Sequence, residues 1–266
     1  MLKKIAFLAC AAFVLTACKV ELDLQNPSAN KPEDIRKYFE GLEPPVAMSN
    51  DQFVSYVKQS TANLERDTTN MSLFLACSKD YINTPNAKGN TALSMAVNKR
   101  NLVVTKWLLD RGADISIKSA QLGLSPLEDA ATRQDSLSEP IFKLLVEAQK
   151  QRDPELQSIG AALHLAATYG ANENVKVLVE GGANPNAKNM DKKTPLHEAA
   201  REGKKAVVEY LISLGKNKID INATDGDGYT PVDWAEASGE GSTFPEIGKI
   251  LHKAGAKHTA AWKAAQ

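Results

Sequence analysis

The chain has 266 residues, with 32 Lys and Arg against 32 Asp and Glu, and 43% of its residues are hydrophobic. A neutral balance lacks the basic surface that nucleic-acid binding calls for. Four histidines and three cysteines leave few ligands for a zinc site and little scope for a disulfide framework.

The chain opens with Lys3 and Lys4, followed by an uncharged, mostly apolar run of 13 residues from Ile5 to Ala17. As a helix that run measures about 20 Å against a hydrocarbon core of about 30 Å, so it reads as a secretory signal rather than a span. Residues Leu15-Thr16-Ala17-Cys18 resemble the lipobox of bacterial lipoproteins. The resemblance implies a signal peptide over residues 1–17, cleaved before Cys18, and lipidation of Cys18. In that family Asp after the cysteine favours retention in the inner membrane; Lys19 stands here, so the expectation is a periplasm-facing chain anchored to the outer membrane. Several acyl chains on one cysteine make a durable anchor where a single chain binds marginally. An ordinary cleaved signal with an incidental cysteine is the alternative.

Loss of the leader's two lysines leaves 30 basic residues against 32 acidic. It also removes Cys10, and lipid occupies Cys18, so Cys77 in "SLFLACS" is expected as a single small buried hydrophobe. Residues 18–50 hold Pro27, Pro32, Pro44 and Pro45 among polar residues and read as a tether, with one short helix in "PEDIRKYFE". Such a tether holds the body of the chain about 30 Å from the membrane on average. Residues 51–85 carry two helical patterns, "DQFVSYVKQSTANLE" and "NMSLFLACSKD", and are read as an atypical N-terminal capping unit.

From residue 86 to 266 the sequence repeats itself. "GNTALSMAV", "GLSPLEDAA", "GAALHLAA", "KKTPLHEAA" and "GYTPVDWAE" align on Leu93, Leu127, Leu163, Leu196 and Val232, at steps of 34, 36, 33 and 36. Each is followed by a second apolar run, such as "VVTKWLLDRGAD" or "VKVLVEGGANPN". This pattern, with its T-P-L-H-x-A core, resembles the ankyrin repeat. The fold it implies is an all-α ankyrin-repeat solenoid of stacked helix pairs with β-hairpin fingers. Thr194-Pro195 opens a helix, because proline suits the first turn, and the pairs Ala166-Ala167 and Ala199-Ala200 allow close helix packing. Gly170 and Gly203 break the first helix of a pair, and Gly182 and Gly215 end the second through a left-handed cap. Stripes such as Val103, Trp107, Leu108 or Val175, Leu178, Val179 have core spacing.

Some segments depart from the pattern. "EAQKQRDPELQS" replaces the usual ending of the second repeat and is read as an irregular finger, and Gly160 falls one place late, which distorts the third finger. "KHTAAWKAAQ" is an extra turn over the last repeat or a frayed end.

No hydrolase, zincin or P-loop motif is present, so no catalytic residue and no cofactor are assigned. His164 and His197 recur one repeat apart; the resemblance implies that they bond the turn at the helix start rather than a metal. Asp225, Asp227, Asp233 and Glu236 fall where some EF-hand ligands would fall, but Tyr229 occupies a ligand position and Thr230 the place of the required glycine. "DGDG" is also ordinary turn composition, and no metal is assigned. What remains is surface. In the family, partners are held by finger tips and by exposed positions after the small pair of the first helix. Carried over, the tips offer Lys88, Asn90, Gln121, Lys193, Asp227 and Tyr229; the helix positions offer Asn98, Lys99, Thr132, Arg133, Thr168, Tyr169, Arg201 and Glu202. Arg133, Tyr169 and Arg201 would line a concave strip of hot-spot residue types.

The resemblance implies a non-enzymatic module that binds a protein. Some bacterial ankyrin lipoproteins of this plan are immunity proteins that neutralise phospholipase toxins from neighbouring cells, which makes a secreted lipase toxin one candidate partner. A scaffold holding a resident periplasmic protein is the other.

Overall fold

The computed structural model describes residues 82–152, 157–237 and 244–265. Cys18, the leader, the tether and both expected capping helices with Cys77 lie outside the described residues. The described residues fall into two compact units, one made of residues up to Asp114 with Ser119–Gln121, the other of Ile115–Lys118 and everything from Leu122 onward.

The first unit holds one helix pair, α1 (Ala92–Asn98) and α2 (Leu102–Asp110). Thr91 caps α1 by accepting from the Ser94 N–H at 3.1 Å, and Asn101 caps α2 by accepting from the Val104 N–H at 3.1 Å. Leu93 and Leu108 are fully buried between the two helices. Asn83 ties the entry segment to the exit of α2: its Oδ1 accepts from the Asp114 N–H at 2.7 Å, and its Nδ2 donates to Gly112 O.

The second unit holds four helix pairs: α3 (Pro126–Ala131) with α4 (Glu139–Arg152), α5 (Gln157–Tyr169) with α6 (Asn172–Glu180), α7 (Pro195–Arg201) with α8 (Lys205–Ser213), and α9 (Pro231–Glu236) with α10 (Pro245–Ala254). A short α11 (Ala260–Ala265) follows. First helices pack on first helices in the order α3, α5, α7, α9, and second helices in the order α4, α6, α8, α10, making two layers. The aligned apolar positions Leu127, Leu163, Leu196 and Val232 are buried between the layers, each contributing about 1.5–3 kcal/mol. Ala166, Ala167, Ala199 and Ala200 have no exposed surface, so the small pairs do allow helices to approach closely. Among the stripe positions Trp107, Leu108, Val175 and Leu178 are buried, while Val103 and Val179 are half-exposed.

Three of the first helices, α3, α7 and α9, start on one device. The third residue of the helix reaches back to the N–H of the residue before it: Glu128 Oε2 to Ser125 at 2.7 Å, His197 Nδ1 to Thr194 at 3.0 Å, Asp233 Oδ2 to Thr230 at 2.9 Å. Each satisfies a donor that the helix itself leaves orphaned. Gly182 and Gly215 end α6 and α8 in the left-handed region, with φ of 103° and 84°. Asn186 then bridges one pair to the next, accepting from the Asp220 N–H at 2.8 Å and donating to Lys218 O at 2.9 Å. Asn222 repeats the bridge to Lys257 and Gly255.

The fingers are turns; no strand occurs among the described residues. Asn86–Asn90, Asn189–Lys193 and Asp225–Tyr229 form the same five-residue loop, in which the first side chain accepts from the N–H groups two and four residues on. Two backbone bonds close each loop, for example Asn189 N–H to Lys193 O at 3.0 Å and Lys192 N–H to Asn189 O at 2.9 Å, too little pairing to extend a ladder. The end of α4 and the start of α5 differ from expectation, and residues 153–156 between them lie outside the described residues. α4 runs through Arg152 and α5 begins at Gln157, so "EAQKQR" is helix rather than an irregular finger and Gly160 lies inside α5. Glu, Gln, Lys and Arg are good helix formers, and no glycine stops them. The C-terminal segment is the extra turn: Trp262 stacks on His258 at 4.0 Å, and Thr259 donates to Asp233.

Candidate binding surface

Arg133, Tyr169 and Arg201 do stand at the ends of α3, α5 and α7, but they are not equally available. Tyr169 is 53% exposed. Arg133 keeps only 15% of its side chain exposed, because its guanidinium turns back 2.7 Å onto Asp129, one helical turn earlier. Its guanidinium is engaged with Asp129 rather than turned to the surface. Arg201 lies between, 39% exposed and held by Glu198 at 3.2 Å and Glu202 at 3.0 Å. Glu202 and Thr168 are half-exposed, the Thr168 hydroxyl donating to His164 O at 2.8 Å. Thr132 likewise donates back into its own helix, to Asp129 O. In the first unit, Asn98 and Lys99 are exposed at the end of α1.

The tips divide in the same way. Lys88, Gln121 and Asp227 are exposed. Asn90 is buried and accepts from the Ser119 hydroxyl at 2.9 Å, so it builds the turn instead of offering itself to a partner. Lys193 is buried as well: its ammonium lies 4.2 Å above the Trp234 ring, while the Trp234 N–H donates to Asp225 at 2.8 Å. Tyr229 packs edge-on against the same ring at 6.1 Å. Lys193 and Tyr229 therefore belong to a Lys–Trp–Tyr stack that stiffens two adjacent fingers. The exposed apolar residues at the surface include three not singled out from sequence, Leu122 and Met190 on tips and Leu137 after α3. A lone apolar residue inside a polar turn is the signal that marks them.

The buried polar groups are engaged in structure. His197 has no exposed surface; its Nδ1 accepts from the Thr194 N–H, and its Nε2 donates to Tyr229 O at 3.1 Å, joining α7 to the next finger. His164 makes only the second of these contacts, Nε2 to Ala187 O at 3.0 Å, and its buried Nδ1 has no partner. The difference follows from α5, which continues through the place where Thr194 would stand. Burial pushes both imidazoles below their ordinary value. Burial pushes the Asp233 carboxyl up, but donors from Thr230, His258 and Thr259 hold it below the usual carboxylate value. Asp225 and Asp233 thus spend their oxygens on turn and helix N–H groups. Among the described residues, one set of potential metal ligands is brought together, Glu236, His252 and His258.

A family profile for ankyrin repeats (3 copies) matches residues 163–261, and a single ankyrin repeat matches residues 88–120. The chain is 27% identical over 158 residues to human transient receptor potential cation channel subfamily A member 1, covering 57% of this chain and 14% of that protein. It is 29% identical over 161 residues to dog inversin, covering 59% and 15% respectively. It is 27% identical over 218 residues to the chicken nuclear factor NF-kappa-B p105 subunit, covering 79% and 21%. The chain thus spans 14 to 21% of the length of these three relatives. Ankyrin repeats mediate protein–protein interaction and are typically non-enzymatic. Repeat spacing, paired helices in two layers and both profile matches converge: the chain carries ankyrin repeats, and its fold is an all-α ankyrin-repeat solenoid.

Proposed function

We propose that this chain is a membrane-anchored, periplasm-facing binding module that sequesters a protein partner, and that the partner is an incoming antibacterial phospholipase. Tyr169 carries the proposal for the binding face: an aromatic ring 53% exposed at the end of a first helix, where a soluble surface gains nothing from it without a partner. In the same unit the exposed tip Asp227 offers a polar group, and Leu122 and Met190 add apolar ones. The anchor reading rests on the lipobox-like Leu15–Cys18, and it supplies the logic of inhibition, since a tethered inhibitor waits where the toxin arrives.

The test has two parts. Cys18→Ser should release the protein from the membrane fraction; continued sedimentation with membranes would remove the lipid anchor from the reading. Deleting the gene should sensitise cells to one of a panel of phospholipase toxins, with protection restored by the native chain and not by Tyr169→Ala. Unchanged survival across the panel would overturn the immunity role, and recovery of a resident envelope protein with the native chain would assign a scaffold role instead.

A further inference from the structure

The last repeat gathers side chains that lie far apart in sequence. Glu236 ends α9, His252 lies in the last turns of α10, and His258 precedes α11. Glu236 Oε1 is 3.2 Å from His252 Nε2, Glu236 Oε2 is 3.2 Å from His258 Nε2, and one ligand atom from each residue falls within 4.8 Å of the others.

Each imidazole is also held from behind. His258 Nδ1 lies 2.7 Å from Asp233 Oδ1, and His252 Nδ1 lies 3.3 Å from Ala256 O. An ionised carboxylate and a backbone carbonyl can only accept, so both Nδ1 atoms carry the hydrogen. That leaves Nε2 of each ring as the nitrogen that can ligate, and both Nε2 atoms face the oxygens of Glu236. The Asp233 carboxylate behind His258 has no exposed surface and is fixed by Thr230 and Thr259, which is the orienting arrangement that makes an imidazole a good metal ligand.

We propose that Glu236, His252 and His258 bind a divalent transition-metal ion of the zinc type, which clasps the C-terminal helix onto the last helix pair. Two imidazole nitrogens and one carboxylate oxygen suit zinc, whereas calcium and magnesium take oxygen ligands. Ligand atoms on neighbouring corners of a zinc tetrahedron stand about 3.3 Å apart; each imidazole nitrogen stands 3.2 Å from a different oxygen of Glu236, so a modest turn of that carboxylate brings one oxygen to both. The three side chains keep 28%, 41% and 17% of their surface exposed, so the ion has a way in and a fourth position open to water. Gly248 leaves the room that Glu236 occupies: a Cβ there would run into the Glu236 carboxylate. The ring of His258 stacks on Trp262, so an ion at Nε2 has an optical reporter beside it.

The experiment titrates ZnCl2 into the chelator-stripped full chain at neutral pH by calorimetry, with MgCl2 as the control. Expected are one zinc per chain at this site with micromolar affinity or tighter, a change in tryptophan emission, a raised Tm, and no heat with magnesium. His252→Asn and Glu236→Gln should abolish that site while far-UV circular dichroism stays native. Gly248→Ala keeps every ligand yet displaces Glu236, and should weaken binding about tenfold or more. Absence of zinc binding by the native chain would show that the cluster is an ion-pair network held by protons alone and would overturn the proposal. Binding left intact in both ligand variants would place the ion elsewhere and overturn it equally. No partner enters the assay, so the outcome is independent of the immunity reading.

Discussion

His197→Ala and His164→Ala remove the same residue type from the same place in adjacent repeats, yet their costs should differ widely. The first strands the buried Thr194 N–H, worth about 1–3 kcal/mol when left unsatisfied, and takes one of two bonds from Tyr229 O, which keeps the Asp225 N–H. It also empties a site with no solvent exposure, so the loss is about 2–5 kcal/mol. The second strands only Ala187 O and at the same time deletes a buried Nδ1 that has no partner, two effects of about 1–3 kcal/mol with opposite sign. Its net cost is about 0–1 kcal/mol. Urea denaturation followed by far-UV circular dichroism measures both, with equal m-values required for the comparison. Since repeat arrays can open in parts, hydrogen exchange along α7 and α9 would show where the His197 variant loosens. Equal destabilisation, or a larger loss at His164, would refute the reasoning that the cap contact and not mere burial gives this histidine its weight.

Acid should weaken the fold early. Both histidines have folded values below their unfolded ones because burial disfavours the charged ring, so the unfolded chain binds more protons. Their contribution is complete above about pH 6.5 and is lost as the pH falls below it; a Tm that stays flat well below that point would contradict the assignment. Lys192 holds φ at 59° where the equivalent fingers have Gly89 and Gly228. Lys192→Gly should therefore stabilise by about 0.5–1 kcal/mol, and Gly123→Ala, at φ 66° with open space around its Cβ, should cost about as much, both read from urea midpoints. Asn174→Ala removes the buried amide that donates to Ala130, Ala131 and Arg133 carbonyls at the end of α3, and should cost about 1–3 kcal/mol in the same assay.

The fold is legible where chemistry recurs with the repeat. The buried Leu of each first helix, the Thr-Pro openings and the closing glycines are local requirements, and each carries its own letter. The stretch "EAQKQR" misleads, because its place in the pattern suggests a finger although its residues favour helix. Site residues are less legible, since availability depends on neighbours. The Asp129–Arg133 spacing does announce an i,i+4 pair that withdraws the arginine. The burial of Asn90 under Ser119 and of Lys193 on Trp234 has no such local sign. Glu236, His252 and His258 match no spacing motif, because only the packing of α10 and the C-terminal segment against α9 brings them together.

One position links the fold to the site at its end. The third residue of a first helix uses one atom to start its own helix and another to reach beyond it. His197 reaches the next finger through Tyr229 O. Asp233, at the same position in the last described pair, reaches His258 and Thr259 instead. The C-terminal segment therefore takes the contact that a following repeat makes elsewhere, and acts as the cap that a stack of such pairs requires. This gives a structural sense to a metal clasp at Glu236, His252 and His258: it would fasten the C-terminal segment onto α9 and α10. It also separates two sets of residues. Lys193 and His197 are spent on contacts between neighbouring repeats, Asn90 on its own turn and Arg133 on its own helix, whereas Tyr169, Lys88 and Asp227 stand exposed.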